Sequence, residues 1–366
     1  MHDAILAQPG CMERMLRAQR ELIERAAAAA ATKKRIVFAG IGTSFNAARF
    51  GGFFLRQITA DRALVAVEQS FELVQYPLAL GSDDVVVLCS HRGWKNFSVE
   101  ALRAAKAAGA LTVAVTGELG GEGMGLADFR IATCEQEDSF AHTKSFSTAL
   151  AVLALFAVRV SQRRNLLARP DGADPLLAIE NISSRIRESL ACEAACAAAA
   201  KEIAARPRLL FVGAGPQWII ASEAALKVKE TSYLHAEGLE TEEFLHGPFS
   251  EMDSRASLVA LLVDGDAQPA PVFARLVQAL HAVGELGVYR VAVISRGPSP
   301  PTVAPSDVPA ERIIELPAVP EWLSAFTHLI PVQFISYYLA LARGSNPDTG
   351  RQHEPAHARA QSLFKL

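Results

Sequence analysis

The residues best suited to proton transfer lie in the second half of the chain. Glu223, Lys227 and Glu230 are spaced so that they share one face of a helix. Further carboxylates and imidazoles follow within a short stretch: His235, Glu237, Glu242, Glu243 and His246. Such groups can serve general acid–base catalysis when they surround one cleft that adjusts their pKa values. The same spacing is typical of a solvated, salt-bridged helix face, and the residues alone leave both interpretations open.

A loop rich in hydrogen-bond donors follows the apolar run at residues 85–89. It combines a hydroxyl, an imidazole, a guanidinium and an ammonium, on Ser90, His91, Arg92 and Lys95. Ligands in open α/β sheets bind beyond the carboxyl ends of strands, where this loop is expected to lie. We interpret it as a site for an anion, most simply a phosphate group, held by side chains and by the N-terminus of the next helix. A solvated basic turn is the alternative.

Two further loops present hydroxyl groups at the start of a helix. The sequence GIGTS at residues 40–44 follows an apolar strand, and its glycines allow a sharp turn that directs Thr43 and Ser44 toward a ligand. The third glycine of the GxGxxG pattern is missing, so we expect no dinucleotide cofactor. His142 and Thr143 open a long apolar helix, for which Thr143 or Ser145 is a candidate N-cap. An ordinary turn and an ordinary cap are the alternatives.

The elements that position these loops alternate along the whole chain. Continuous apolar strands, with helices between them, are predicted at residues 35–40, 64–67, 85–89, 111–116 and 129–132. The pattern restarts at residue 208, where RLLFVGAG mirrors RIVFAGIG at residues 35–42. The sequence therefore predicts an α/β protein with two tandem, doubly wound, flavodoxin-like parallel sheets. The expected domains are residues 1–175 and 176–343, followed by a tail, residues 344–366, that completes the site.

Composition restricts the chain to a globular class. The 366 residues are 50% hydrophobic and 20% charged, which excludes a disordered or fibrous protein. With 36 basic and 39 acidic residues the net charge is −3, so no charge excess indicates nucleic acid or a membrane surface as partner. The longest apolar run, residues 149–158, is shorter than a membrane span and fits a buried helix. Five cysteines without a CxxC pair predict neither disulfides nor a metal site, and we expect a cytoplasmic protein.

Several stretches match motifs of one known family. GIGTS at residues 40–44 resembles a GxGTS turn, and HTKSFST at residues 142–148 resembles STKAFTT. EAALKVKETSYLHAE at residues 223–237 resembles EGALKLKEISYIHAE, and EFLHGP at residues 243–248 resembles ELKHGP. Over nearly its whole length the chain resembles the tandem SIS (sugar isomerase) family. Within that family it is similar to the isomerase half of the glucosamine-fructose-6-phosphate aminotransferases and to the SIS-type glucosamine-6-phosphate deaminases.

The resemblance implies an enzyme of phosphorylated ketoses, aldoses and amino sugars that needs no cofactor and no metal. It implies that Glu230 moves a proton between C1 and C2 of the sugar through an enediol or enolamine. His246 would assist ring opening and reach into the site of a neighbouring subunit, so a homodimer with shared active sites is expected. Glu223 and Lys227 would orient the base and the sugar.

The candidate substrate and phosphate contacts lie in the loops of the first half: Thr43, Ser44, Ser90, His91, Arg92, Lys95, His142 and Thr143. The family's phosphate loop typically reads SQSGET, whereas this chain has SHRGWK at residues 90–95. Charged side chains thus replace hydroxyl groups, and Trp94 replaces an acid. The loop could hold phosphate by charge, or accept a larger or more anionic ligand. His142 stands where the family usually has a serine.

The C-terminal tail also departs from the family. The family's tail resembles DxDxPRxLxK, and its lysine takes part in opening the sugar ring. Here residues 346–355 read NPDTGRQHEP, which places Pro355 at the position of that lysine. His353 or His357 could substitute, because imidazole exchanges protons near neutral pH. The alternative is that the tail has lost this role.

The leading hypothesis is a phosphosugar aldose–ketose isomerase or an aminosugar-phosphate deaminase, with a substrate such as glucosamine 6-phosphate or fructose 6-phosphate. No segment resembles a glutaminase domain, so we expect release of ammonia rather than its transfer from glutamine. The alternatives are a deglycase of phosphorylated fructosamines and a non-catalytic, regulatory phosphosugar-binding protein. The enzymatic hypothesis expects one pocket in which Glu230 faces a sugar whose phosphate is held by the loop after residues 85–89.

Overall fold

The computed structural model describes residues 1–168, 174–264, 270–296 and 307–364. The chain divides into two compact units, each built from several segments. The first unit comprises Ala7–Asp138, His142–Glu180 and Arg351–Leu366, and the second comprises Met1–Leu6, Ser139–Ala141 and Asn181–Gly350. Residues 1–6 therefore pack with the second unit, and the tail after residue 350 packs with the first.

The strands of each unit form one parallel sheet. They are β1 (Arg35–Gly40), β2 (Leu64–Gln69), β3 (Asp84–Cys89), β4 (Leu111–Thr116) and β5 (Phe129–Ala132) in the first unit, and β6 (Arg208–Gly213), β7 (His235–Glu240), β8 (Ala256–Asp264), β9 (Tyr289–Arg296) and β10 (Arg312–Leu316) in the second. Their order is β2-β1-β3-β4-β5 in the first sheet and β7-β6-β8-β9-β10 in the second. Both sheets thus have the same doubly wound order, 2-1-3-4-5, that flavodoxin-like sheets have. The predicted fold class is confirmed.

Helices connect the strands. In chain order they are α1 (His2–Leu6), α2 (Gln8–Ala31), α3 (Thr43–Thr59), α4 (Ser70–Gln75), α5 (Asn96–Ala107), α6 (Lys144–Arg163), α7 (Pro175–Glu180), α8 (Ile182–Ser189), α9 (Glu193–Ala204), α10 (Pro216–Ser232), α11 (Thr241–Leu245), α12 (Ala270–Glu285), α13 (Ser324–Ala342) and α14 (Pro355–Gln361). Short 3₁₀ turns lie at Glu122–Leu126, Leu190–Cys192, Pro248–Glu251 and Glu321–Leu323.

Two strands of the second sheet, β7 and β10, are not predicted by the sequence pattern. Both lie at the edges of their sheet, where a strand pairs with only one neighbouring strand. In β7 only Ala236 is buried, and its sequence, HAEGLE, contains no continuous apolar run. The residues of β7 therefore look like a polar loop when the chain is searched for fully buried strands.

Two helical segments, Lys144–Arg163 and Glu321–Ala342, are long and apolar enough to cross a membrane. In the structure 89% of the most apolar 18-residue stretch of the first segment, and 78% of that of the second, is buried inside the protein. Helix α6 packs against α2 and α3 in the first unit, and α13 packs against α9 and α10 in the second. These contacts account for the apolar composition, because both helices form part of the core of their unit.

The same glycine turn joins a central strand to the following helix in each unit. Gly42, before α3, has φ 60° and ψ −128°, and Gly215, before α10, has φ 59° and ψ −128°. Residues with a Cβ atom rarely adopt this conformation. At Gly40 an added Cβ atom would lie 2.2 Å from the carbonyl oxygen of Ser44. The glycines therefore allow the helix N-terminus to approach the end of the strand closely.

Candidate active site

A pocket lies at the carboxyl edge of the sheet in the first unit; we call it the first-unit pocket. Its cavity volume is about 20 Å³, and it opens to solvent. Its lining includes Thr43 and Ser44, which follow β1, and Ser90 and His91, which follow β3. Because β1 and β3 are the neighbours at which the strand order reverses, the pocket has the position at which open α/β sheets bind ligands.

Most of the candidate contacts predicted for the first half line this pocket: Thr43, Ser44, Ser90, His91 and His142. Of the described residues that line it, none is Arg92, Lys95 or Thr143. The Arg92 guanidinium carbon lies 5.8 Å from the centre of the Trp94 ring, and that indole is 65% exposed. The first-unit pocket therefore brings together hydroxyl groups and imidazoles rather than the charged ends of its loop.

The loop after β3 is held by backbone contacts to the end of β4. The Thr116 hydroxyl donates to the Ser90 carbonyl oxygen at 2.7 Å, and the backbone N–H of Gly117 donates to the His91 carbonyl oxygen at 2.9 Å. Gly93 has φ 70°, and a Cβ atom there would lie 2.5 Å from a backbone nitrogen of the neighbouring loop. Gly93 of this loop therefore has to be a glycine, because the neighbouring backbone passes too close for a side chain.

His91 and His142 form a pair of imidazoles in the first-unit pocket. Their ring centres lie 4.9 Å apart, and the ring planes are nearly perpendicular, at 84°. Burial lowers the pKa of His91 to about 4, with Arg92 and Lys144 acting in the same direction and Glu137 opposing them. His91 is therefore neutral at neutral pH when the pocket holds no anion.

Glu137 is a buried residue of this region that the sequence motifs do not identify. Its carboxylate accepts hydrogen bonds from the Thr143 backbone N–H at 2.9 and 3.0 Å, from the Thr143 hydroxyl at 2.9 Å and from the Ser145 backbone N–H at 2.8 Å. These are donors of the first turn of α6, so Glu137 satisfies that helix N-terminus. Thr143 is thus bound within the protein, whereas Ser145 lines the pocket. The one sequence signal that could have indicated this role is the position of an acidic residue shortly before a predicted helix start.

The proton-transfer candidates of the second unit meet on helix α10. The Lys227 ammonium donates to Glu230 Oε2 at 2.5 Å and lies 3.3 Å from Glu223 Oε1. The side chains of Lys227 and Glu223 are 2% and 1% exposed, whereas that of Glu230 is 24% exposed. The predicted shared helix face is therefore a buried ion-pair network rather than a solvated one, and Glu230 is the member that solvent reaches.

Lys227 keeps its charge in spite of its burial. Burial alone would lower the pKa of this ammonium, but Glu223 and Glu230 outweigh it and raise the pKa above its ordinary value. A charged lysine fixes one oxygen of Glu230, and a carboxylate held in this way can exchange a proton through its other oxygen. The arrangement thus suits a general base whose position is set by a permanent positive charge.

The network lies far along its helix from the glycine turn. Glu230 belongs to the last turn of α10, about 20 Å along the axis from its start at Pro216. Sequence reasoning expects the carboxylates near the ligand edge of the sheet because the helix begins there. That holds for the first turn of α10 but not for Glu230, since the helix runs on for 17 residues.

His246 lies on the surface of the second unit rather than among these carboxylates. Its side chain is 77% exposed, and its Nε2 lies 3.3 Å from Glu242 Oε2. Glu242 also pairs with Arg275 at 2.5 Å, and this guanidinium, followed by His246, lowers the pKa of the Glu242 carboxyl. His246 thus pairs with Glu242, whereas Glu230 pairs with Lys227.

The candidate tail histidines lie in the part of the tail that packs with the first unit. His353 is exposed, and His357 Nδ1 lies 3.2 Å from Glu354 Oε2. Glu354 is also held by Arg351, whose guanidinium donates two hydrogen bonds to it at 2.8 Å. None of the residues of α14 is buried. His353 is thus exposed to solvent, whereas His357 is partly exposed and its Nδ1 is buried.

The described residues contain no group of three or more His, Cys, Asp or Glu side chains arranged to hold a metal ion. The five cysteines all carry free thiols. Cys89 lines the first-unit pocket, and burial raises the pKa of its thiol to about 12, so this thiol is neutral and unreactive at neutral pH.

Comparison with known proteins gives a match in each half of the chain. A family model described as SIS domain matches residues 31–159 and 202–343. The glutamine–fructose-6-phosphate aminotransferase (isomerizing) of Pyrococcus horikoshii is 29% identical over 328 residues, covering 87% of this chain and 50% of its own length. The chain therefore spans about half the length of the curated relatives it matches.

Solved structures share the fold over nearly the whole chain. The C-terminal domain of glucosamine-fructose-6-phosphate aminotransferase from Francisella tularensis has a TM-score of 0.83 at 22% identity, covering 95% of this chain and 97% of that one. The tagatose-6-phosphate ketose/aldose isomerase of Escherichia coli has a TM-score of 0.75 at 20% identity, covering 95% and 94%. At these identities the likeness establishes the fold.

Proposed function

Because the chain belongs to the SIS domain family, with a match in each half, we propose that it acts on a phosphorylated sugar or amino sugar by moving a proton between C1 and C2. The reaction is aldose–ketose isomerisation or, on an aminosugar phosphate such as glucosamine 6-phosphate, isomerisation followed by release of ammonia. The observation that carries the proposal is the partly exposed carboxylate of Glu230, fixed by the buried ammonium of Lys227.

The first-unit pocket supports a phosphorylated ligand. Thr43, Ser44 and Ser90 have short side chains whose hydroxyl groups can donate hydrogen bonds to a phosphate. They lie at the carboxyl edge of a parallel sheet, close to the start of α3. The start of α6 is already satisfied by the Glu137 carboxylate, so an anion would be placed toward α3 and the loop after β3. Arg92 adds positive charge to that loop without lining the pocket.

Glu230 supplies the proton transfer in this proposal. It removes a proton from the carbon next to the carbonyl group, which gives an enediol or enolamine, and returns it to the neighbouring carbon. Lys227 fixes one oxygen of this carboxylate, and Glu223 pairs with the lysine on its buried side. For an amino sugar the resulting ketose imine adds water and loses ammonia, which leaves a ketose phosphate.

Ring opening and assembly complete the proposal. His246 projects from the surface, which suits an imidazole that assists ring opening in the site of a second copy of the chain. The exposed imidazole of His353 and the partly exposed imidazole of His357 are the candidates for the role of the family's lysine. We therefore propose a cytoplasmic homodimer with shared active sites.

The proposal is tested by incubating the protein with glucosamine 6-phosphate, and separately with fructose 6-phosphate, in D₂O. Nuclear magnetic resonance follows loss of the protons on C1 and C2, and an enzymatic assay follows ammonia. Deuterium incorporation with ammonia supports the deaminase, and incorporation with isomer formation alone supports the isomerase. A fructosamine phosphate in the same assay tests the related deglycase reaction.

A non-catalytic phosphosugar sensor is the second candidate. It is favoured by Pro355 at the position of the family's tail lysine and by the exposed Trp94 in the phosphate loop. A sensor needs affinity but no proton transfer. Thermal stabilisation by sugar phosphates without deuterium incorporation on any of them would support this candidate and exclude the enzyme.

A further inference from the structure

The imidazole of His91 is buried without a partner for its polar atoms. Both ring nitrogens are inaccessible to solvent, and neither has a hydrogen-bond partner among the described residues. The ring lines the first-unit pocket together with the hydroxyl of Ser90. Buried polar atoms without a partner destabilise a protein and are uncommon in native structures. The unsatisfied nitrogens indicate a partner that enters from the pocket.

The chain makes room for this ring at the opposite wall. Gly117 has no side chain, and a Cβ atom there would lie 2.8 Å from Cε1 and 2.9 Å from Nδ1 of His91. The same atom would lie 2.6 Å from the amide nitrogen of Gln136. Because contacts this short do not occur, the imidazole can occupy its place only beside a glycine.

Charged and titratable groups approach the ring from each loop around it. They are Arg92 on its own loop, Glu135 and Glu137 after β5, and His142 and Lys144 at the start of α6. Glu137 is occupied by the donors of α6, and Glu135 pairs with Lys144 at 2.6 Å. The negative charges near the ring are therefore already bound within the protein, which leaves the pocket open to an anion from outside.

We propose, on the premise of the function proposed above, that His91 is the residue of this chain that recognises the phosphate group: its imidazole donates to a phosphate oxygen and takes up a proton as the dianion binds. A neutral imidazole has one N–H donor, and an imidazolium has two. An opposite charge within about 4–6 Å raises an imidazole pKa by about 1–3 units. The bound dianion thus raises the pKa of the imidazole and offsets the effect of burial, which lowers it.

Proton uptake has a direction that can be measured. The pKa of His91 is about 4 in the free protein and rises on binding, so affinity is greatest at acidic pH and falls as pH rises through the bound-state value. Between the two values the affinity falls by up to about tenfold per pH unit. Inorganic sulfate is the suitable probe, because it keeps its two charges over this range whereas a phosphate ester titrates near about pH 6.

The test is titration calorimetry of sulfate into the full-length protein at about pH 5.5 and about pH 8, each in two buffers of different ionisation enthalpy. We expect net proton uptake on sulfate binding at the lower pH, little at the higher pH, and binding that is weaker there by up to about thirtyfold. His91→Asn retains an amide donor but cannot titrate, so we expect its uptake to vanish and its affinity to become independent of pH. Arg92→Gln, the control on the same loop, should weaken binding yet retain the uptake.

Other outcomes overturn the proposal. If proton uptake persists in His91→Asn and disappears in His142→Asn, the proton binds to His142, which contradicts the proposal. If His91→Asn does not fold, the His91 Cε1–H resonance of the unmodified protein gives the answer, since its titration midpoint must rise when sulfate is added. Protein that binds glucosamine 6-phosphate or fructose 6-phosphate without this shift contradicts the role of His91 alone. Protein that binds neither sugar phosphate contradicts the proposed function and this inference together.

Discussion

Replacing Lys227 with methionine tests the buried network on which the proposed chemistry depends. Methionine keeps most of the side-chain volume but removes the ammonium that pairs with Glu223, whose side chain is 1% exposed. Breaking a buried ion pair by removing one partner costs about 3–5 kcal/mol. Glu230 is 24% exposed and can turn toward water, so most of the cost should come from Glu223.

The magnitude and its pH dependence follow from the network. For a unit of this size, about 3–5 kcal/mol corresponds to a fall in Tm of about 6–20 °C. The pKa of Lys227 is raised in the folded protein, so its contribution is complete below the ordinary value and is lost only as pH rises through the higher folded value. The deficit should therefore be constant from slightly acidic to slightly alkaline pH.

Two matched variants decide the interpretation in urea and thermal unfolding experiments. Lys229→Met changes an exposed lysine two positions away and should stay within about 0.5 kcal/mol of the unmodified protein. Adding Glu223→Gln to Lys227→Met removes the buried negative charge that had faced the ammonium and should recover most of the lost stability. The reasoning is refuted if Lys227→Met costs less than about 1 kcal/mol, or if the double variant is no more stable than the single one.

Three further predictions concern the first unit. Glu137→Gln weakens the hydrogen bonds at the start of α6 and should lower the free energy of unfolding by about 1–3 kcal/mol in urea titrations; an unchanged midpoint contradicts the capping role. Gly117→Ala should displace the His91 ring and weaken sulfate binding in calorimetry at least about tenfold while the protein stays folded; retained affinity contradicts the steric argument. Hydrogen bonds from Arg35 hold the pKa of Asp84 below its ordinary value, so its contribution to stability is present above that value and is lost as pH falls through the lower folded one. Asp84→Asn should therefore be less stable than the unmodified protein near pH 7 and equally stable in strong acid, as followed by urea midpoints.

The central strands are predictable because burial on both faces leaves a continuous apolar run. The bounds of β4 and β5 agree with the sequence prediction at both ends. Edge strands do not carry this signal, and β7, with HAEGLE, is therefore missed. The similarity of GIG at residues 40–42 and GAG at residues 213–215 does predict the repeated turn, because this conformation requires glycine.

The candidate site is predictable only in part. The helical spacing of Glu223, Lys227 and Glu230 predicts that they meet, but not that the lysine is fully buried, since its burial depends on packing of α10 against α13 and β7. The positive charges of the SHRGWK loop predict that Arg92 contacts an anion in the pocket. In the structure it is the neutral imidazole of His91, not Arg92, that lines the first-unit pocket. Which side of a loop faces inward depends on backbone contacts made to other strands.

The most direct test of the proposed function compares Glu230→Gln with Glu237→Gln, the same change at a partly exposed glutamate of β7. Deuterium incorporation at C1 and C2 of fructose 6-phosphate in D₂O is measured by nuclear magnetic resonance, and ligand affinity by calorimetry. We predict that Glu230→Gln loses at least about 10²-fold in exchange rate with affinity changed by less than about threefold, while Glu237→Gln exchanges like the unmodified protein. Exchange at the unmodified rate in Glu230→Gln would contradict the assignment of this carboxylate as the base that moves the proton.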